Sequence, residues 1–503
     1  MREKRRNITV SVILIACIFF MQVPFVFGAD TQSLPAPYDE NSIEYIKSTI
    51  NMIEDLTGVD ITSKALVLAS LKGLLETTDS YTRFLTAEEA RDFADTLGGV
   101  IEGIGIATYR VGNYFVVSKV FPDSPAEKAG IIPGDKIINI NGINLIRSSI
   151  EDISKYIMGD ANTNLQIDVI REGYTNVISL NLTRKHVVIN PVSYEIREGI
   201  GYIKIDFFNE YTSSFVAQAL SEMDGAKVNK IILDLRDNPG GNIEQAANVA
   251  RYFVPKGLIA RLTFKSRRFS DYNYYSVLES PKYKVAVLVN ETTASSAEIL
   301  AGSIQDTKAG TLVGTKTYGK ARVQNLIPLL SPEAYRKYEK EYGVKFVNLY
   351  DLTENFRITP SQDEIIGYAL ITTGFYYTTN GRLIDGTGLS PDIAVPDSPV
   401  ADDLGLNNIQ RLRVKTKPSL HNRSLDVYNA ERILKILGYD IGSPGMEMDE
   451  RTFEAIKRFQ NDSGLFPYGV LDFATQKALN GKLNKLILQI DKQYARALEI
   501  LNK

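Results

Sequence analysis

A chain of 503 residues has room for roughly three or four domains with sizeable cores. Hydrophobic content of 44% and charged content of 23% fit ordinary globular structure, and a net charge of −3 without a basic block excludes nucleic acid as a partner. With only His186, His421 and one cysteine there is no His or Cys cluster, so neither a metal nor another cofactor is expected.

Residues 1–28 have the layout of a targeting segment. Arg2, Lys4, Arg5 and Arg6 precede an apolar run from Ile8 to Phe20, and Val26-Phe27-Gly28 before Ala29 offers a cleavage site. A cleaved signal peptide, a retained membrane anchor, or lipidation at Cys17 would each place the protein outside the cytoplasm. Cleavage at Gly28 would leave no cysteine and no disulfide. Residues 36–94 form a helical region. Ile43, Ile46, Ile50, Ile53 and Leu56 make one stripe, and Ala65, Leu68, Leu71, Leu74 and Leu75 another, so the spacing predicts a packed helical hairpin over 41–78.

Within residues 95–182, Gly103-Ile104-Gly105-Ile106 is a glycine-bearing strand entry. The segment from Ser124 to Gly142, SPAEKAGIIPGDKIINING, carries a short helix, a Pro133-Gly134 turn and an Asn141-Gly142 hairpin turn. Together they resemble a PDZ domain. The resemblance implies that backbone N–H groups of Gly103 to Ile106 hold the C-terminal carboxylate of a protein or peptide substrate, which adds as a strand. Arg171, in VIREG, closes the last hairpin. It either pairs with a carboxylate or the neighbouring domain, or stands as a solvated turn arginine.

Residues 183–400 alternate strands and helices, the pattern of an α/β sheet. Strand-like GYIKIDFF begins at Gly199, a helix spans about Thr212 to Met223, and the apolar strand Lys230 to Leu235 ends in Arg236-Asp237-Asn238-Pro239-Gly240-Gly241 before a helix through Ala246 to Phe253. A glycine pair there lets backbone amides approach a ligand closely. A second apolar strand, Val285 to Val289, leads through a small-residue turn into a helix from about Ser296 to Asp306, which puts Ser295 at a helix N-terminus. The strand Thr311 to Gly314 then leads to Lys320, 25 positions after the serine. Neither histidine lies near this block, and a lysine kept neutral by burial can serve as the base. Lys316 is the rival base and Ser296 the rival nucleophile.

The block from Val289 to Gln324 resembles the active-site region of the C-terminal processing peptidases, the tail-specific S41 serine proteases with a Ser-Lys dyad. The resemblance implies Ser295 as nucleophile, three residues before Glu298, and Lys320 of Gly319-Lys320 as base. Gln324 would orient the lysine, Asp306 would support the site, and Gly240 or Gly241 would form an oxyanion hole with the Ser296 N–H. Thr292 and Thr293 stand where Gly and Ser are common, Ser296-Ala297 is in reversed order, and Ala321, which would be strained if φ were positive there, replaces a frequent Gly. In that family the N-terminal helical region helps pair subunits, which implies a homodimer. Residues 331–366, with YRKYEKEYGVKF, read as an inserted helical excursion. Likeness returns from Tyr368 to Val395, where an Asn380-Gly381 turn is expected to join two strands.

After a linker at 401–422, residues 423–482 show three helical patterns, through Val427, Ile433, Leu434 and Leu437, through Phe453, Ile456 and Phe459, and through Leu471, Thr475 and Leu479. They resemble a peptidoglycan-binding domain, which implies peptidoglycan as a partner and a place at the cell wall. Residues 483–503 read as a final helix offering a second pairing surface. The expected fold is therefore a multidomain α/β protein: a protease core with an inserted PDZ domain, a helical N-terminal region and a small all-α C-terminal domain. The expected function is an exported serine endopeptidase that takes substrates by their C-termini through a PDZ gate. The domain set is most like processing peptidases of Gram-positive spore formers that cut a signalling protein. A non-catalytic PDZ and wall-binding scaffold, marked by loss of Ser, Lys or Gln, and a peptidoglycan hydrolase are the competing classes.

Overall fold

The computed structural model describes residues 40–503 apart from 122, 146–152, 154–155, 172–173, 175, 344–351, 354–355, 398–408 and 410. The targeting segment 1–28 with Cys17 lies outside the described residues, as do residues 401–408 and 410 of the 401–422 linker. Among the described residues no helix is long and apolar enough to cross a membrane.

The chain opens with α1 (Glu40–Leu56), α2 (Ser63–Glu76), β1 (Arg83–Leu85) and α3 (Ala87–Gly98). The expected packed hairpin is absent, because Ile46, Ile53 and Leu56 of α1 stay exposed. The next unit comprises β2 (Val100–Gly103), β3 (Ile106–Val111), β4 (Tyr114–Val120), α4 (Pro125–Ala129), β5 (Lys136–Ile140), β6 (Ile143–Asn144), β7 (Asn164–Ile170), β8 (Ile178–Thr183) and β9 (Lys185–Val188). Its main sheet runs β3-β4-β5-β7-β8, so β3 is an edge strand. Asn141 and Gly142 both take positive φ, 51° and 81°, as a tight hairpin between β5 and β6 requires. Ile104, Ile137, Ile140, Ile167 and Val169 fill a core separate from that of the next domain.

The largest unit contains β10 (Val192–Arg197), β11 (Ile200–Ile205), α5 (Thr212–Gly225), β12 (Lys230–Asp234), α6 (Ile243–Ala250), β13 (Gly257–Phe264), β14 (Tyr272–Ser276), β15 (Lys284–Val289), α7 (Ser296–Asp306), β16 (Gly310–Gly314), β17 (Arg322–Leu330), α8 (Pro332–Tyr342), β18 (Ile365–Thr378) and β19 (Ile393–Ala394). One sheet runs β10-β11-β12-β15-β16-β19 and is parallel from β11 onward. Its strands are continuously apolar, as KIILD and KVAVLV show, because both faces are covered. Ile231, Leu233, Val285 and Val287 pack with α5, α6 and α7 on one face. A second, antiparallel sheet, β1-β18-β13-β14 with β17 on β18, closes the outside of that layer. The Asn380-Gly381 turn follows β18, with Thr378 N–H donating to Arg382 O at 3.1 Å, but the next strand, β19, joins β16 in the parallel sheet, so the turn does not close the expected hairpin. Of the 331–366 excursion, α8 is helical as expected.

The last helices are α9 (Leu425–Ile436), α10 (Glu450–Asp462), α11 (Phe473–Ile490) and α12 (Lys492–Asn502). Helices α9 to α11 share one apolar core through Val427, Ile433, Ile456, Phe459 and Leu479. This module rests on the PDZ-like unit, where Tyr428 Oη donates to Pro133 O at 2.6 Å. Helix α11 continues past residue 482, and the chain turns at Asp491, the N-cap of α12. The final helix is not a free pairing surface. Its Tyr494, Ala497 and Leu501 bury against Ile232, Ala286, Leu288 and Val313, the otherwise open face of the parallel sheet.

Candidate active site

Strand β15 ends at Val289 and the chain turns through residues 290–294. Asn290 N–H donates to Thr293 Oγ1 at 2.9 Å, Thr293 Oγ1 donates to Leu235 O at 2.8 Å, and Ala294 N–H donates to Asn238 O at 2.9 Å. These bonds stitch the turn to the loop after β12. Ser295 then takes φ 58° and ψ −124°, a left-handed conformation that a non-glycine residue holds only when its surroundings impose it. Its carbonyl accepts from Tyr376 Oη at 3.0 Å. Ser295 is half-buried, whereas Ser296 is wholly buried and its Oγ has no hydrogen-bond partner. Of the two serines, Ser295 presents a hydroxyl that a substrate can reach.

Three residues on, the Glu298 carboxylate is fully buried and gathers four donors. It accepts from Ser295 N–H at 2.9 Å, Gly319 N–H at 2.8 Å, Lys320 N–H at 2.9 Å and Thr317 Oγ1 at 2.5 Å. Burial pushes its carboxyl above the usual range while these donors pull it back. One side chain thereby fixes both the serine turn and the lysine turn. Gly319 needs φ 87°, and a Cβ there would lie 2.5 Å from Gly388 N. Ala321 is not among the positive-φ residues, so replacement of a glycine there introduces no backbone strain.

Lys320 is 9% exposed, whereas Lys316 is exposed, so only the former is carried inward. Lys320 Nζ donates to Gln324 Oε1 at 2.8 Å, and Gln324 Nε2 donates to Tyr81 O at 2.7 Å. Lys320 Nζ also lies 4.7 Å from the centre of the Tyr81 ring. Tyr81 belongs to a turn held by Asp79, which accepts from Tyr81 N–H at 2.7 Å and Thr82 N–H at 2.9 Å and pairs with Arg322 at 3.5 Å.

The loop after β12 meets the serine from the other side. A Cβ on Gly240 would stand 2.7 Å from Ser295 Cβ and 3.0 Å from Ser296 N, and one on Gly241 would stand 2.2 Å from Phe208 O. Both glycines have positive φ, 104° and 130°. The Gly240 N–H is committed to Asn238 Oδ1 at 2.9 Å, so of the expected oxyanion donors Gly241 and Ser296 are the ones without that tie.

Other expected site residues lie elsewhere. Asp306 is at the far end of α7, about 16 Å along the helix from Ser295. Its carboxylate accepts from Thr378 Oγ1 at 2.6 Å and Asn380 N–H at 2.9 Å and pairs with Arg382, so it pins the turn after β18 and does not meet the dyad residues. Arg171 is neither solvated nor available to a peptide. It is 5% exposed and forked onto the buried Asp135 at 2.7 Å through Nε and again through Nη2, with Gly130 O accepting at 2.8 Å. Gly103 and Ile104 to Ile106 connect β2 to the edge strand β3. There Ile104 O accepts from Ala126 N–H and Gly105 O from Phe121 N–H, and a Cβ on Gly105 would meet Ser124 Cβ at 2.4 Å. Among the described residues no cluster of three or more His, Cys, Asp or Glu is placed to hold a metal ion.

Sequence reasoning missed Tyr81, Tyr376 and the bracing role of Glu298. Glu298 was legible as a helix N3 acid behind a serine, the pattern of a capping box. Nothing local marks Tyr81, whose contact with Gln324 spans 243 positions.

Comparison with known proteins gives three domain matches: peptidase family S41 over residues 199–395, a PDZ domain over 116–171 and a peptidoglycan binding domain over 423–479. The carboxy-terminal processing protease CtpB of Bacillus subtilis (strain 168) is 26% identical over 471 residues, covering 92% of this chain and 88% of that protein. CtpA of the same organism is 28% identical over 448 residues, 87% of this chain and 85% of that protein. The carboxy-terminal-processing protease of Bartonella bacilliformis is 27% identical over 394 residues, 75% of this chain and 82% of that protein.

Proposed function

Because the chain is a serine peptidase of the S41 carboxy-terminal processing family, with PDZ and peptidoglycan-binding domains, we propose that Ser295 is its nucleophile and Lys320 its general base. The observation that carries the assignment is the Glu298 carboxylate, which accepts from the backbone of both residues and so sets them against each other. Ser295 Oγ attacks the scissile carbonyl as neutral Lys320 takes its proton. The N–H groups of Ser296 and Gly241 receive the developing oxyanion. Lys320 returns the proton to the leaving amine; the lysine, neutral again, then deprotonates the water that hydrolyses the acyl-enzyme and passes that proton to Ser295 Oγ as the acid product leaves. Gln324 Oε1 aims the amine at 2.8 Å without adding a full negative charge that would hold the proton on it. Asp306 supports this arrangement only at a distance, by holding the far end of the serine helix.

The protein is exported and stays at the cell wall through residues 423–479, and a substrate C-terminus adds to the free edge of β3, reading Gly103 to Ile106. The substrate is a protein, by analogy with the processing peptidases of Gram-positive spore formers a signalling protein, and two chains pair through the exposed stripe of α1. The test incubates the purified chain with casein beside Ser295→Ala and Lys320→Ala and follows fragments by mass spectrometry. Loss of at least about a thousandfold in rate for both is expected. Cleavage surviving Ser295→Ala refutes the nucleophile, and cleavage surviving Lys320→Ala refutes the base.

A further inference from the structure

The loop that carries Gly240 and Gly241 is rooted by Arg236, and Arg236 is held from two directions. Two residues back, at the end of β12, the Asp234 carboxylate lies 2.9 Å from Nε and 2.6 Å from Nη2; it is itself fully buried and accepts from Tyr202 Oη at 2.7 Å. On the other side Nη1 donates to Asp491 Oδ2 at 2.9 Å and to Gln493 Oε1 at 3.3 Å. Asp491 and Gln493 are 8% and 1% exposed, and they belong to the N-terminus of α12, some 255 positions away in sequence. Gln493 is anchored in turn, its Nε2 donating to Val395 O at 3.0 Å.

From Arg236 the constraint passes directly to the reacting residues. Asp237, next in the chain, holds φ 64°, and its N–H donates to Asn290 Oδ1 at 3.0 Å while its carboxylate accepts from Asn290 Nδ2 at 2.8 Å and Thr292 Oγ1 at 2.9 Å. Asn238 O receives the Ala294 N–H, and Gly240 sits against Ser295. A strained residue between a clamped arginine and the serine turn keeps its conformation only while both neighbours are fixed.

We propose that the C-terminal helix is a working part of the peptidase site, with Asp491 and Gln493 as positioning residues that act through Arg236 on the Gly240-Gly241 loop. The reading rests on the proposed role of that loop as oxyanion hole. Substrate contacts are untouched by it, so the effect falls on kcat. The clamp ties the last residues of the chain to the chemistry, and a chain with α12 undocked would still bind substrate yet turn it over slowly.

Asp491 also caps α12, its Oδ1 accepting from Tyr494 N–H at 2.9 Å, so the test separates capping from clamping. Asp491→Ser keeps a capping oxygen but is too short to reach Arg236, and Asp491→Asn keeps both the cap and an uncharged acceptor. Leu501→Ala thins the packing of α12 on the sheet without touching Arg236. In the full chain, kcat and KM are measured at 20 °C on a quenched-fluorescent peptide copied from a site mapped in casein, beside the melting temperature. Asp491→Ser is expected to lower kcat about tenfold with KM within about twofold, the loss of one charge-assisted hydrogen bond, with Asp491→Asn in between. Leu501→Ala is expected to lower the melting temperature and leave kcat alone. A wild-type kcat in Asp491→Ser overturns the inference, and so does a kcat that merely follows the melting temperature across all three variants. Ser295→Ala run in parallel separates the two readings: if it is inactive while Asp491→Ser is normal, only the clamp fails, and if it is active the site itself is misassigned.

Discussion

An amphipathic helix stands near each end of the described chain, and the two have opposite fates. In α1 the stripe is open to solvent, with Ile46 50% and Leu56 73% exposed. In α12 the stripe is gone from the surface, Tyr494 being 3% exposed and Ala497 and Leu501 wholly buried. Their sequences do not distinguish them, since both carry apolar residues at helical spacing with charges opposite. What differs is whether the same chain offers a vacant apolar face. The parallel sheet has helices α5 to α7 on one side only, and Ile232, Ala286, Leu288 and Val313 on the other side need a cover, which α12 supplies. Periodicity identifies a face and says nothing of its partner.

The sharpest way to break this contrast is to charge the buried stripe. Ala497→Asp places a carboxylate against the sheet with no partner, and unfolding free energy should fall by about 3 kcal/mol or more, read from the urea midpoint of the whole chain. A loss below about 1 kcal/mol would mean that α12 leaves the sheet easily, and the two helices would then be alike. A second measurement asks whether the module leading into α12 unfolds with the sheet. Glu431, 3% exposed in that module, accepts from Gly445 N–H at 2.6 Å and Thr452 Oγ1 at 2.7 Å, and burial pushes its carboxyl up from 4.5 to about 7, with Asp449 adding to the rise. Between those values the folded module keeps a proton that the unfolded chain has lost, so stability falls as pH rises from 4.5 to about 7 and is level above that. The loss is of order 3 kcal/mol, and Glu431→Gln should flatten it. If the sheet's urea transition shifts with pH alongside the module's, α12 couples the two; if only the module's shifts, the dock of α12 is independent of it.

Much of the active region was legible because it is local. A strand, a small-residue turn and a helix put Ser295 at an N-terminus, while the choice between Lys320 and Lys316 stayed open in the sequence and is made by the fold, which buries the first and exposes the second. The double glycine after β12 was readable as a close approach, and Gly240 does meet Ser295. What could not be read is every contact closed over long stretches of chain. Tyr81 reaches Gln324 across 243 positions and Asp491 reaches Arg236 across 255, and no spacing rule spans such gaps. Arg171 failed for a related reason. A turn arginine is normally solvated, but its partner Asp135 lies 36 positions back in the PGD turn, and only the fold of the small sheet brings them together. For Asp306 the sequence shows its spacing from the serine but not its partners: eleven positions along the helix put it at the far end, on the turn after β18.

The smallest effect on stability is expected at the other helix, and it carries the most information about assembly. Leu56→Asp in α1 alters a side chain that is 73% exposed, so the unfolding free energy of a single chain should change by no more than about 0.5 kcal/mol. If a second copy covers this stripe, the same substitution removes a buried leucine from the interface and inserts a charge. Burial of such a side chain contributes about 1.5–3 kcal/mol, so the dimer dissociation constant should rise at least about tenfold. Sedimentation velocity over a concentration series reads the association, and urea unfolding reads the stability of the chain. Unchanged stability with a shift toward monomer makes α1 the counterpart of α12 that finds its cover on another molecule. An unchanged mass distribution removes α1 from any subunit interface. A stability loss as large as that of Ala497→Asp would show instead that α1 docks on its own chain, and the contrast between the two ends would vanish.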